Sequence, residues 1–240
     1  MVRIATIRTD FKEKFGLPRQ SGLVPELTGR IVFEPAYRNP QALKGLSDFS
    51  HLWIIWECSM AQKKQGQGKR KKESQQETQK APHWNAMVKP PRLGGNEKMG
   101  VFATRSPFRP NPIGLSCVKI DQIKETEKEG TVIFVSGIDL LDGTPIYDIK
   151  PYLPYTDSHP EATSGFAGEV YAHALDVVFP KELLLRIPEE KRPGAMGLLR
   201  QDPRPAYQDE EDRIYGVSYA GFNIRFQVKN EQLTVIEVEE

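Results

Sequence analysis

Residues 100–116 read GVFATRSPFRPNPIGLS, and no other run constrains the fold as tightly. Pro107, Pro110 and Pro112 each fix φ and remove a backbone donor. A segment built this way is neither an interior helix nor a central strand. The residue before each proline is pushed toward extended geometry. A stiff, irregular loop results, with Arg105 and Arg109 held at set positions on it. Guanidinium forks suit carboxylates and phosphates. A loop that is already rigid loses little entropy when it closes on a ligand.

The stretches around this loop read as strands. Residues 2–7, 29–34, 49–58, 113–120 and 131–140 are dense in β-branched, aromatic or aliphatic side chains. Asn39-Pro40 caps a short helix predicted over 40–46. Residues 169–179 are a further strand candidate. A short helix is predicted over 181–187, stopped by Pro188, and the stretch to 193 reads as a linker. The C-terminal region reads as a meander over 214–219, 222–229 and 233–238. Within it Phe222, Ile224, Phe226 and Val228 alternate with polar residues, which implies one covered face. Regular βα alternation is missing, which argues against a doubly wound sheet. The expectation is a mainly β fold: a barrel or roll core with short helices and a small C-terminal α+β unit.

The length of 240 residues accommodates one large domain and a smaller one, and the pattern divides at 1–168 and 169–240. Residues 61–81 contain no aliphatic side chain larger than alanine and carry an excess of lysine and arginine. They cannot bury a core and are predicted to form a mobile basic insertion. The net charge of +1 provides no bulk attraction to nucleic acid, so any such binding must come from a local patch. Cys58 and Cys117 lack zinc spacing, and the four histidines (His51, His83, His159, His173) are scattered, so no metal site is expected. No apolar run approaches the ~20 residues of a membrane span. No signal-peptide core precedes residue 11. The expected location is the cytoplasm, with both thiols reduced.

Dinucleotide-binding, Walker and nucleophile-elbow motifs are all missing. Four stiff polar loops remain as candidates: Pro18-Arg19-Gln20, 90–95, 105–112 and 139–155. Loops carried on a rigid scaffold are a common place for ligand sites. Together these four present arginines for a carboxylate, aspartates for an amine or a ribose, and glycines for close backbone approach. That inventory fits a zwitterionic nucleoside ligand.

PRLGGNEKMGVFATRSPFRPNPIGLS (91–116) and DGTPIYDIKPYLPY (142–155) resemble the signature segments of the TsaA/TrmO-type tRNA methyltransferase family. FGLPRQSGL (15–23), GLSDFSHLWII (45–55) and QDPRPAY (201–207) extend the resemblance over nearly the whole chain. The resemblance implies a single-sheeted β-barrel that binds S-adenosylmethionine and forms a homodimer. It implies N6-methylation of the threonylcarbamoyladenosine beside the anticodon of threonine tRNA. The implied cofactor contacts are Pro18, Arg19, Gln20, Ser59, Met60, Arg105, Leu115, Asp139, Leu140, Leu141 and Asp142. Trp56 to Met60 and the long insertion at 61–81 depart from the family's usual pattern. Methyl transfer needs in-line positioning and an acceptor for the amine proton, with Asp142, Asp148 or a loop carbonyl as candidates. Lys150, Tyr152 and Tyr155 are candidates for RNA contact through phosphate binding and stacking, and Arg109 for RNA, the cofactor or a structural ion pair. Two other readings fit the same residues: a non-catalytic RNA-binding barrel, and a methyltransferase acting on a different substrate.

Overall fold

Six strands close into an antiparallel barrel in the order β1-β2-β7-β6-β3-β8. They are β1 (Ala5–Thr9), β2 (Thr28–Phe33), β3 (His51–Glu57), β6 (Ile113–Thr126), β7 (Gly130–Ser136) and β8 (Pro145–Pro151). A two-stranded ribbon, β4 (Met87–Val88) with β5 (Met99–Gly100), lies in the chain between β3 and β6. The computed structural model describes residues 1–58, 84–90, 97–168, 174–204 and 212–240. Ser59, Met60, the insertion 61–81, His83, His173 and most of the 90–95 loop lie outside the described residues.

The barrel interior follows from side-chain alternation. Ala5 and Ile7 of β1, Ile31 of β2, Leu52 and Ile54 of β3, and Ile146 of β8 are all fully buried. Side chains at alternate positions share a face of a strand, so these residues point inward as sets. Each fully buried Ile or Leu contributes roughly 1.5–3 kcal/mol relative to exposure. The 49–58 strand appears as β3, paired on one side with β6 (Ile54↔Ser116) and on the other with β8 (Ile54↔Ile149).

Some expectations need correction. β6 runs to Thr126, past the predicted end at 120, because a register shift between Ile120 and Gln122 bends it to serve both β3 and β7. Residues 145–151 of the predicted 139–155 loop form β8, with Pro145 and Pro151 at its ends, where a missing donor is tolerated. The helix predicted over 40–46 is a shorter 3-10 turn, Pro40–Leu43, in which the Asn39 side chain accepts from Gln41 N.

The C-terminal sheet has the order β10-β11-β12-β9: β10 (Tyr215–Tyr219), β11 (Phe222–Lys229), β12 (Gln232–Glu239) and a parallel edge strand β9 (Asp176–Val178). Ile224, Phe226 and Val228 are buried as the alternation predicts. The stretch read as a linker leads through a 3-10 turn, Glu189–Lys191, into the helix Arg192–Arg200, which buries Gly194, Ala195, Leu198 and Leu199. Pro193 sits in its first turn, where a missing N–H costs nothing.

This unit and the barrel share one core. Phe11 packs on Tyr219 with ring centroids 5.4 Å apart, and Val24, Leu27, Leu198 and Val217 belong to the same buried cluster. Lys191 Nζ donates to Asp10 Oδ2 at 2.5 Å across the junction. A Cβ at Gly16 would come within 2.0 Å of Val217. The C-terminal sheet therefore braces the segment that leads into the Pro18-Arg19-Gln20 loop.

Candidate active site

At the end of β3 where Glu57 lies, a cavity of about 620 Å³ opens between loops. Pro18, Arg19 and Gln20 form one wall, and Thr104, Arg105, Pro107 and Arg109 form the opposite wall. Asp139, Leu140, Leu141 and Thr144 line it from the segment that leads into β8, and Leu115 from β6. Three of the four predicted stiff loops thus meet over one cavity, the third through its first residues, 139–144. Its size is that of an ordinary small-molecule site.

The Pro/Arg loop owes its shape to its own side chains as well as to its prolines. Thr104 Oγ1 donates to Val101 O (2.8 Å) and accepts from Ser106 N (3.2 Å); Ser106 Oγ accepts from Phe108 N (3.3 Å). Arg109 Nη1 donates to Thr104 O at 3.0 Å, so this arginine closes the loop on itself. Pro112 O accepts from Cys58 N at 2.8 Å, tying the loop to the end of β3. Arg105 Nη1 donates across the cavity to Gln20 Oε1.

Asp139 is the buried charge of the site. Trp56 Nε1 donates to Ser116 Oγ at 3.0 Å, and Ser116 Oγ donates to Asp139 Oδ1 at 2.7 Å. Because the indole N–H occupies the acceptor side of the hydroxyl, the Ser116 proton is directed at the carboxylate. Burial pushes the Asp139 carboxyl up to about 6, against the opposing pull of Ser116, two backbone N–H groups and Arg105. Trp56 lies flat on Gly114: a Cβ there would fall 2.1 Å from the ring. Burial also raises the Cys58 thiol to about 11, so it is no nucleophile at neutral pH. Cys117 is likewise raised by burial, and both cysteines are free.

Other predicted residues stand elsewhere. Asp142 turns away from the cavity: its carboxylate caps Thr9 N at 3.1 Å and faces Arg8 at 3.7 Å, in a second groove beside Asp10 and Lys191. Asp148 bonds Ile149 N (2.9 Å) and pairs with Lys150 Nζ (3.1 Å), and it does not line the cavity. Lys150 sits opposite Trp53 in the sheet, and Tyr152 N bonds His51 O, at the far end of β3. At ~3.3 Å per residue that end lies roughly 20 Å from Glu57. Tyr152 packs against Trp53, and Tyr155 is exposed.

Trp56, Gly114 and Ser116 escaped the sequence reading. The signal was present in the β3–β6 pairing, which sets Trp56 against Gly114. A glycine beside a tryptophan on a barrel strand marks a close approach of ring to backbone. Ser116 looked like one more small strand residue. Only its burial shows that its hydroxyl must be bonded.

Comparison with known proteins gives this geometry its relatives. The model of the tRNA-methyltransferase O N-terminal domain matches residues 6–158, and that of the TrmO C-terminal domain matches residues 175–240. The Escherichia coli K12 protein named tRNA (adenine(37)-N6)-methyltransferase is 39% identical, over 99% of this chain and 96% of its own length. A Pseudomonas aeruginosa relative, 38% identical over 89% of this chain and 86% of its own, is named for S-adenosylmethionine-dependent methyl transfer. A crystal structure of TrmO from Pseudomonas aeruginosa superposes with a TM-score of 0.73 at 29% identity, covering 99% of this chain and 97% of that one.

Proposed function

This chain belongs to the tRNA-methyltransferase O family, and from that premise we propose that it methylates N6 of an adenine in tRNA at the cavity between the Pro18-Arg19-Gln20 and Arg105–Arg109 loops. The observation that carries this reading is the cavity's set of groups. It combines a buried carboxylate, opposed arginines and an apolar lining on one side of the barrel.

That set fits S-adenosylmethionine by chemistry. Arg105, or Arg19 from the facing loop, suits the amino acid carboxylate. Asp139 suits the ammonium or a ribose hydroxyl, and Leu115, Leu140 and Leu141 offer apolar surface for a base. When bound, the cofactor supplies an electrophilic methyl group on a sulfonium. The protein's own part is to orient and to exclude water. Gln20 holds Arg105, Ser116 holds Asp139, and Trp56 holds Ser116. A delocalised adenine amine is a weak nucleophile, so positioning dominates the rate.

The finer reading is that the target is the threonylcarbamoyladenosine of threonine tRNA, in the cytoplasm, with the enzyme acting as a homodimer. Residues 1–168 would hold the cofactor and 169–240 would form the second domain. Lys150, Tyr152 and Tyr155, toward the other end of β3 from this chain's own cavity, would meet RNA there or beside the partner copy's cavity. Asp142 and Asp148 would serve as proton acceptors only from such a neighbouring position. Calorimetry with S-adenosylhomocysteine tests the site. Arg105→Ala is expected to weaken binding about 10- to 100-fold, the scale of one charge-assisted hydrogen bond. Equal affinity in the two proteins removes Arg105 from the site. Lys150→Ala should lower turnover on tRNA while leaving that affinity unchanged.

A further inference from the structure

Beside the cavity lies a patch that the cofactor reading leaves unused. Phe102 is 69% exposed and Trp84 39% exposed, with their ring centroids 5.6 Å apart. Neither ring is loosely held. Phe102 sits in the 3-10 turn Val101–Ala103, whose Val101 is buried and bonds Ala86 O through its N–H at 2.8 Å. The β4–β5 ribbon clamps the Trp84 segment alongside, pairing Met87 with Gly100. The Arg109 guanidinium lies 5.8 Å from the Phe102 centroid while its Nη1 is bonded to Thr104 O. Arg109 also lines the cavity, so the aromatic patch and the cavity are continuous through one side chain.

We propose that Trp84 and Phe102 form a stacking platform for a single-stranded RNA base, the neighbour of the adenosine whose amine is presented to the cavity. This rests on the proposed tRNA substrate. A base read within an RNA loop must be splayed out of the stack, which leaves its neighbour without a stacking partner. An exposed aromatic pair at the cavity mouth replaces that partner. The charge around it suits the same ligand. Lys14, Arg19, Arg105 and Arg109 line the cavity against Glu57 and Asp139, so the rim is net positive and attracts phosphate. Among the described residues no carboxylate pairs with Arg109. A second copy of this chain is the less suitable occupant. A two-fold contact would set this positive rim against itself, and two rings cover far less than the ~800 Å² per partner of a stable interface.

The test uses the full chain and an anticodon stem-loop RNA with 2-aminopurine beside the target adenosine. Binding to the wild type should quench the 2-aminopurine. Phe102→Ala should weaken RNA affinity about 10-fold and abolish the quench, the scale of one lost base–aromatic stack. Phe102→Trp should restore both. Affinity for S-adenosylhomocysteine and the sedimentation of the free protein should not change in either variant. Unchanged RNA affinity and quenching in Phe102→Ala overturns the platform while leaving the methyltransferase reading intact. A shift in sedimentation on Phe102→Ala assigns the patch to a contact between copies and also overturns it. If the wild type itself binds no RNA, the substrate reading fails and the platform fails with it.

Discussion

A single carboxylate sets the pH behaviour of the site. Asp139 titrates at about 6 in the folded protein, against 3.8 for an ordinary carboxyl. Between these values the folded state holds a proton that the unfolded state has released. Stability contributed by this group is therefore full below pH ~4 and is lost as pH rises through about 6, a swing of about 3 kcal/mol. Asp139→Asn should flatten thermal stability between pH 4 and 7 and raise the melting temperature at pH 7.5. Cofactor affinity should move the opposite way, strengthening as Asp139 ionises, and calorimetry across pH 5–8 would show that limb in the wild type only. Ser116→Ala should shift the limb upward in pH, because the serine hydrogen bond lowers the Asp139 pKa. A limb that stays in Asp139→Asn would assign it to another group. Gly114→Ala forces Trp56 off the strand, since the new Cβ would fall 2.1 Å from the indole. It should cost about 1–3 kcal/mol of stability and change tryptophan fluorescence.

At the scale of elements, legibility tracked how local the cause was. The Pro/Arg loop was readable because proline acts within its own residue and the one before it. The C-terminal meander was readable because alternation of period two is a local pattern, and β11 covers the 222–229 stretch as predicted. Residues 145–155 misled because their prolines suggested a loop, whereas Pro145 and Pro151 merely bracket β8. The helix Arg192–Arg200 was not expected: the stretch to 193 reads as a linker, and Pro193, Gly194 and Gly197 are poor helix formers by propensity. The two glycines are there for contact: a Cβ at Gly194 would come within 2.3 Å of the Tyr219 hydroxyl, and one at Gly197 within 2.5 Å of Val24. Gly194→Ala is therefore expected to destabilise, despite alanine's better helix propensity. A melting temperature above the wild type would show that the close packing does not hold.

At the scale of the molecule, the proposed cofactor site depends on a core built from both ends of the chain. Phe11, Val24 and Leu27 of the segment around the Pro18-Arg19-Gln20 loop are buried with Leu198, Val217 and Tyr219. Ending the chain at residue 168 would expose that apolar surface and release one wall of the cavity. Such a truncation should unfold at lower temperature and lose affinity for S-adenosylhomocysteine, whereas full-length protein should unfold in one cooperative transition. This dependence could not be read from sequence, because it joins residues as far apart as Asp10 and Lys191, 181 positions from each other. The sequence did single out the two loops and the Asp139 segment that meet at the cavity. Purified protein, S-adenosylmethionine and tRNA carrying threonylcarbamoyladenosine should be incubated and the tRNA nucleosides resolved by mass spectrometry. This nucleoside should gain one methyl group, and Arg105→Ala should slow the gain at limiting cofactor. An unchanged nucleoside from protein shown to bind the cofactor would contradict that transfer.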